Sequence, residues 1–163
     1  MSGPKSLTVV SPHGFCSGVA RAVQTASAVL ARFAGETVYC LNEIVHNRQV
    51  VSRLTDFGMV FVGDVREVPP GALLLFSAHG VSPAVVRLAE ERRLRVIDAT
   101  CPFVTKVHAE VRRFASQGAA VVCIGHRHHE EVVGVVGEAP EHVRVVENVS
   151  EAEALALDRK SVV

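Results

Sequence analysis

The chain is 163 residues long and 48% apolar, with 17 Lys and Arg against 17 Asp and Glu. That size supports one ordinary core or one and a half small ones, and the balanced charge leaves no footprint for nucleic acid or an anionic membrane. No run of apolar residues is long enough to span a bilayer, and Met1 to Ser6 lacks the apolar segment of a signal peptide, so the cytoplasm is the expected compartment.

Taken in order, Ser6 to Val10 reads as a first strand, stopped by Ser11-Pro12-His13-Gly14. Val19, Ala22, Val23, Ala26, Val29, Leu30 and Phe33 recur at helical spacing, predicting a helix from Ser17 to Phe33. Thr37 to Cys40 is a second strand, Arg48 to Asp56 a helix, and Met59 to Val62 a third strand. Leu73 to Phe76 is a continuous apolar run, the pattern of a strand covered on both faces. Ser82 and Pro83 open a helix running to about Arg93. Val96 and Ile97 predict a short buried strand, followed by a turn at Cys101 and a helix from Pro102 to near Gly118. Ala120 to Ile124 reads as another buried strand. A helix over Val132 to Glu138, a strand over Val143 to Val146 and a helix from Ser150 complete the chain.

Strands alternate with helices, which predicts an α/β fold of three-layer units on parallel sheets. The expected division is a complete first unit over 1–100 and a partial second unit over 101–163. No internal repeat stands out.

Ligands of open parallel sheets bind at the carboxyl ends of the strands. There this sequence places Cys16, His46, His79, Cys101, and His129 with Glu131. A thiol at Cys101 faces the positive end of a helix dipole, which suits an anionic sulfur. Each residue alone has a plainer reading, as a turn cysteine or a solvated histidine. Five strand exits carrying such groups point instead to one pocket. Two thiolates suit an iron–sulfur cluster or zinc. Three histidines beside helix N-termini suit a phosphate or diphosphate, and a carboxylate beside a histidine can pass a proton. Neither a phosphate-binding Gly-x-x-x-x-Gly-Lys loop nor a dinucleotide Gly-x-Gly-x-x-Gly is present. Cys40 and Cys123 fall inside strand patterns and are expected in cores; His126, His128 and His142 are expected in solvent. The tract His126 to Glu131 is a weak zinc signal, because its ligands lack fixed helical spacing.

Five ordered motifs carry a resemblance: Gly14-Phe15-Cys16-Ser17-Gly18, Glu43-Ile44-Val45-His46-Asn47, Ser77-Ala78-His79-Gly80-Val81-Ser82, Asp98-Ala99-Thr100-Cys101-Pro102, and Gly125-His126 followed by His129 and Glu131. Together, from about Val9 to Glu147, the chain resembles the N-terminal half of the 4-hydroxy-3-methylbut-2-enyl diphosphate reductase family. The resemblance implies an α/β enzyme of the non-mevalonate isoprenoid pathway that removes the hydroxyl of an allylic diphosphate, giving isopentenyl and dimethylallyl diphosphates. It implies a [4Fe–4S] cluster with Cys16 and Cys101 as two of three cysteine ligands. It further implies His46, His79 and His129 as substrate-binding residues, Glu131 on the proton route, and a ferredoxin or flavodoxin as electron donor.

Three residues depart from the family pattern. His13 stands for an arginine, Ala20 for an aspartate, and Glu130 for a proline; none removes a matched site residue. The third cluster cysteine has no counterpart here. Asp158 to Val163 follows a helical pattern abruptly and reads as translated sequencing adapter, so the natural protein is expected to continue past Leu157. The chain alone is expected to be inactive. The alternative readings are a non-catalytic diphosphate- or metal-binding module, and a zinc site built from Cys16, Cys101 and one histidine.

Overall fold

A strand buried on both faces needs apolar side chains in every position, and Leu73–Phe76 supplies them. In a computed structural model, which describes residues 6–155, this segment is β3, with all four residues buried. It lies inside a four-stranded, all-parallel sheet of order β2-β1-β3-β4. The other members are β1 (Val38–Leu41), β2 (Met59–Val62) and β4 (Arg95–Asp98). Alternation along each strand divides the core. Val38, Cys40, Leu73 and Leu75 pack under α1 (Ser17–Arg32) and α2 (Arg48–Asp56). Leu41, Leu74 and Phe76 pack on the opposite face, under α3 (Pro83–Glu91) and a 3₁₀ turn at Val65–Glu67. The first unit is therefore three-layered, as predicted.

A second sheet pairs β5 (Val121–Ile124) with β6 (Val143–Val146), again in parallel. Val121, Cys123 and Val143 pack beneath α4 (Pro102–Ser116) and α5 (Glu130–Glu138). A short α6 (Val149–Glu153) follows. On the other face Ile124 is 83% exposed, while its in-register partner Val146 is buried.

A repeat that the sequence reading missed is plain in the structure. A cysteine caps a helix, which leads to a strand with a cysteine in its third position, a loop bearing a histidine, and a second helix. A second parallel strand and an Asx-capped turn follow. The first pass runs Cys16, α1, β1 with Cys40, His46, α2, β2, Asp64. The second runs Cys101, α4, β5 with Cys123, His129, α5, β6, Asn148. The interval from Cys40 to His46 equals that from Cys123 to His129. The repeat lies in positions and caps, while the intervening apolar residues differ, so residue identity hides it.

Four other expectations need correction. Ser6–Val10 forms no strand; it pairs with no sheet edge, and Leu7, Val9 and Val10 are exposed. β4 is an edge strand, so Val96 is partly exposed rather than buried. β5 is covered on one face only: Val121 and Cys123 are partly buried, whereas Val122 and Ile124 are exposed. His142 is half-buried, with Nδ1 3.2 Å from the carbonyl oxygen of Ala119. Cys40 and Cys123 do sit in cores, and burial pushes the Cys40 thiol up to about 12. Asp158–Val163 lies outside the described residues. Among those residues, no helix is long and apolar enough to cross a membrane.

Candidate functional site

The first sheet changes direction between β1 and β3, since β2 and β4 lie on opposite sides of that pair. Such a switch point opens a crevice beyond the strand ends. His46 leaves β1 and His79 leaves β3 at that crevice, and their rings stack with centroids 4.2 Å apart. Backbone hydrogen bonds continue past the strands: Ala78 N–H to Ile44 O, Ala99 N–H to Phe76 O, and Cys101 N–H to Ala78 O. The exits of β1, β3 and β4 are thereby stitched together. Arg21 of α1 adds a bond from Nη1 to the Thr100 carbonyl at 2.8 Å, and Asp98 Oδ1 accepts from Thr100 N–H at 2.8 Å.

Helix N-termini converge on this loop cluster. Cys16 caps α1, its sulfur 3.5 Å from Val19 N. Cys101 caps α4 with Pro102 at the first helical position, and its side chain makes no capping bond. Asn47 caps α2 through Oδ1, which accepts from Gln49 N–H and Val50 N–H. His129 caps α5, with Nδ1 accepting from Glu131 N–H at 3.3 Å. Each helix directs unpaired N–H groups and a partial positive charge toward its cap.

The two thiols share one cradle. A Cβ added to Gly18 would lie 2.5 Å from the Cys101 sulfur and 3.9 Å from the Cys16 sulfur. A side chain there would collide with the Cys101 sulfur, while the Cys16 sulfur lies at ordinary contact distance. A cavity of ≈ 400 Å³ is lined by Cys16, Cys101, His46, His79, Asn47 and Glu131, among others. The donor set fits two ligand positions of an iron–sulfur group, which takes thiolates. Cys40 and Cys123, the other cysteines of the chain, are committed to the cores.

His129 joins the histidine pair from the second unit. Its Nε2 lies 3.2 Å from Nε2 of His46, and its ring meets that of His79 edge-on at 6.2 Å. Because Nδ1 of His129 accepts a helix N–H, the neutral ring carries its proton on Nε2 and donates to His46. His46 Nδ1 then faces Glu43 Oε2 at 3.4 Å. Burial holds the pKa of His79 below the usual histidine range; His46 and His129 lower it further, while Glu130 and Glu131 oppose them. Burial therefore favours the neutral form of the His79 ring.

The structure thus brings all six predicted site residues to one loop cluster, with Cys16 at the end of an extended segment rather than a strand. It also adds Glu130, which the sequence reading named only as a departure from the family and within a weak zinc tract, and His108, which it did not name. Glu130 Oε1 lies 3.4 Å from His79 Nδ1 and 3.7 Å from His46 Nε2. Its position as first residue of α5, beside the histidine cap, was the available signal. Behind the site, buried His108 of α4 is paired through Nδ1 with Glu138 of α5 at 2.7 Å, and Arg112 holds the other carboxylate oxygen. Its ring packs close to Gly134, where an added Cβ would lie 3.2 Å away. A histidine on an apolar helix face gave no sequence cue to that partner.

The chain is similar to known proteins over most of its length. The chain is 52% identical over 159 residues to the 4-hydroxy-3-methylbut-2-enyl diphosphate reductase of Rhodococcus jostii, covering 98% of this chain and 47% of the relative. It is 48% identical to the reductase of that name in Chlamydia trachomatis, with 93% and 49% covered. The chain therefore spans about half the length of these relatives. Among solved structures, the Plasmodium falciparum E-1-hydroxy-2-methyl-but-2-enyl-4-diphosphate reductase superposes with a TM-score of 0.86 at 39% identity, covering 91% of this chain and 46% of that one. The LytB protein family pattern matches residues 7–163. With that match running through both halves of the repeat and every loop of the cluster, the chain belongs to the LytB family.

Proposed function

We propose that this chain forms the diphosphate-binding and part of the cluster-binding machinery of a 4-hydroxy-3-methylbut-2-enyl diphosphate reductase. The observation that carries the reading is the junction of three imidazoles from three separate loops with two helix-capping thiols. In this reading His46, His79 and His129 bind the substrate's diphosphate, assisted by the N-termini of α2 and α5. Cys16 and Cys101 supply two thiolates to an iron–sulfur cluster of the [4Fe–4S] type, which would deliver electrons one at a time from a ferredoxin or flavodoxin. Glu131, on the same cavity wall, donates a proton to the departing hydroxyl. The overall change consumes two electrons and two protons and releases water. The reading treats 1–100 and 101–163 as two α/β units of a cytoplasmic enzyme. In this reading a further cluster ligand and a third unit would lie in the half of the relatives that this chain does not span.

Calorimetric titration with inorganic diphosphate tests the anion site. Half-exposed His46 can be replaced without cavity formation, so His46→Ala should weaken binding while circular dichroism stays unchanged. Absence of diphosphate binding by the parent chain would defeat the reading. Anaerobic reconstitution with iron and sulfide tests the thiols. Two thiolates are too few, so little cluster and no turnover are expected; robust turnover by the 163 residues would refute the need for a third ligand.

A further inference from the structure

Glu130 is out of character in a site for anions. Its carboxylate stands against the histidines, where negative charge opposes a phosphate and favours a cation. The ligand atoms of His46, His129 and Glu130 all lie within 4.8 Å of one another. The His46 and His129 Nε2 atoms are 3.2 Å apart. Two imidazole nitrogens, each about 2.0–2.1 Å from one tetrahedral ion, are about 3.3 Å apart. The observed edge therefore already matches that of a shared ion. His46 also has the outer partner expected of a metal-bound imidazole, because its Nδ1 faces Glu43 Oε2 at 3.4 Å.

We propose that His46, His129 and Glu130 form a site for a borderline divalent cation of the Zn²⁺ class, with the fourth position open to water or a ligand oxygen. Two nitrogens and one carboxylate oxygen favour such an ion over Mg²⁺ or Ca²⁺, which take oxygen shells. To bind through Nε2, His129 moves its proton to Nδ1 and releases the cap bond from Glu131 N–H. That bond is long, at 3.3 Å, and the freed N–H at an exposed helix end is satisfied by water. The carboxylate needs only a side-chain rotation, since Glu130 is the first residue of α5 and its backbone is already placed. The site shares His46 and His129 with the diphosphate reading, so cation and diphosphate would compete for them, and it uses neither cysteine.

Co²⁺, whose visible spectrum reports low-symmetry coordination, is the probe, with Zn²⁺ as competitor. The 163-residue chain carries Cys16→Ser and Cys101→Ser, so that thiols contribute nothing. One ion per chain is expected. Glu130→Gln should weaken binding at least about tenfold, the lower end of what even supporting residues of metal sites contribute. Glu130→Pro, tolerated at a first helical position, provides a second variant. His128→Ala should change nothing, and circular dichroism verifies folding throughout. Failure of the serine variant to bind Co²⁺, or unchanged affinity in a folded Glu130 variant, overturns the proposal. Inorganic diphosphate titrated into the same metal-free chain reads the anion site separately.

Discussion

Gly18→Ala is the sharpest probe of the thiol cradle. The new methyl carbon would stand 2.5 Å from the Cys101 sulfur, whereas comfortable contact between heavy atoms is about 3.5–4.0 Å. The sulfur must retreat by about 1 Å or more. Cysteine has one side-chain torsion, so the retreat means a different rotamer or a shift of the α4 N-terminus. Overpacking of this kind costs about 1–3 kcal/mol. Against it stands the helix preference of Ala over Gly, at most about 1 kcal/mol. The overlap should win, giving a net loss of about 0–2 kcal/mol. A double-mutant cycle removes the ambiguity, because Cys101→Ala deletes the colliding atom. The expected coupling between the two positions is about 1–3 kcal/mol, relieved in the double variant. Urea unfolding under reducing conditions measures it, with a slope of about 1–3 kcal/mol per molar urea converting the shift in midpoint. Additive effects, or a Gly18→Ala chain more stable than its parent, would refute the cradle.

Gly137→Ala should likewise destabilise, since its methyl would lie 2.3 Å from Ser82 Cβ between α5 and α3. A Ser82→Gly partner, which costs a cap only a few tenths of a kcal/mol, should recover much of the loss in urea unfolding, and failure to recover would point away from that contact. Alkaline pH tests the burial of Cys40, whose folded pKa is about 12 against an ordinary value of 9.0. The raised value stabilises fully below about pH 9; above it the unfolded chain loses the proton first, so stability falls as pH climbs toward 12, by up to about 1.4 kcal/mol per unit. Cys40→Val should flatten that slope in unfolding curves at pH 8 to 10, and an unchanged slope would count against it.

Much of this architecture was legible because the local signals agreed. Leu73–Phe76 announced a doubly covered strand by having no polar residue, and Asn47 and Ser82 marked helix starts by their capping chemistry. What stayed hidden depended on partners. Ser6–Val10 has strand composition, but strand composition without an edge to pair is only extended chain. Val96 and Ile124 look like core residues; the order of strands makes one an edge residue, and the open outer face of β5 exposes the other. The site residues were readable because glycine and a reactive group recur where helices begin. Glu130 was only half readable: its place beside a histidine cap was visible, but His46 and His79, distant in sequence, meet it only in the fold.

The hydrogen bonds that carry the strand ladder past the ends of β1, β3 and β4 give this site a thermodynamic character of its own. Loops that close over a ligand usually lose conformational freedom on binding, and affinity is diminished by that loss. Here the loops bearing Ala78, Ala99 and Cys101 are the last rungs of the sheet, so their ordering is completed when the protein folds. A ligand meeting His79 and Cys101 should encounter nearly fixed groups, with its free energy of binding coupled directly to the stability of the first sheet. Weakening that sheet far from the cavity, as at Leu74, should loosen the site before it unfolds the protein.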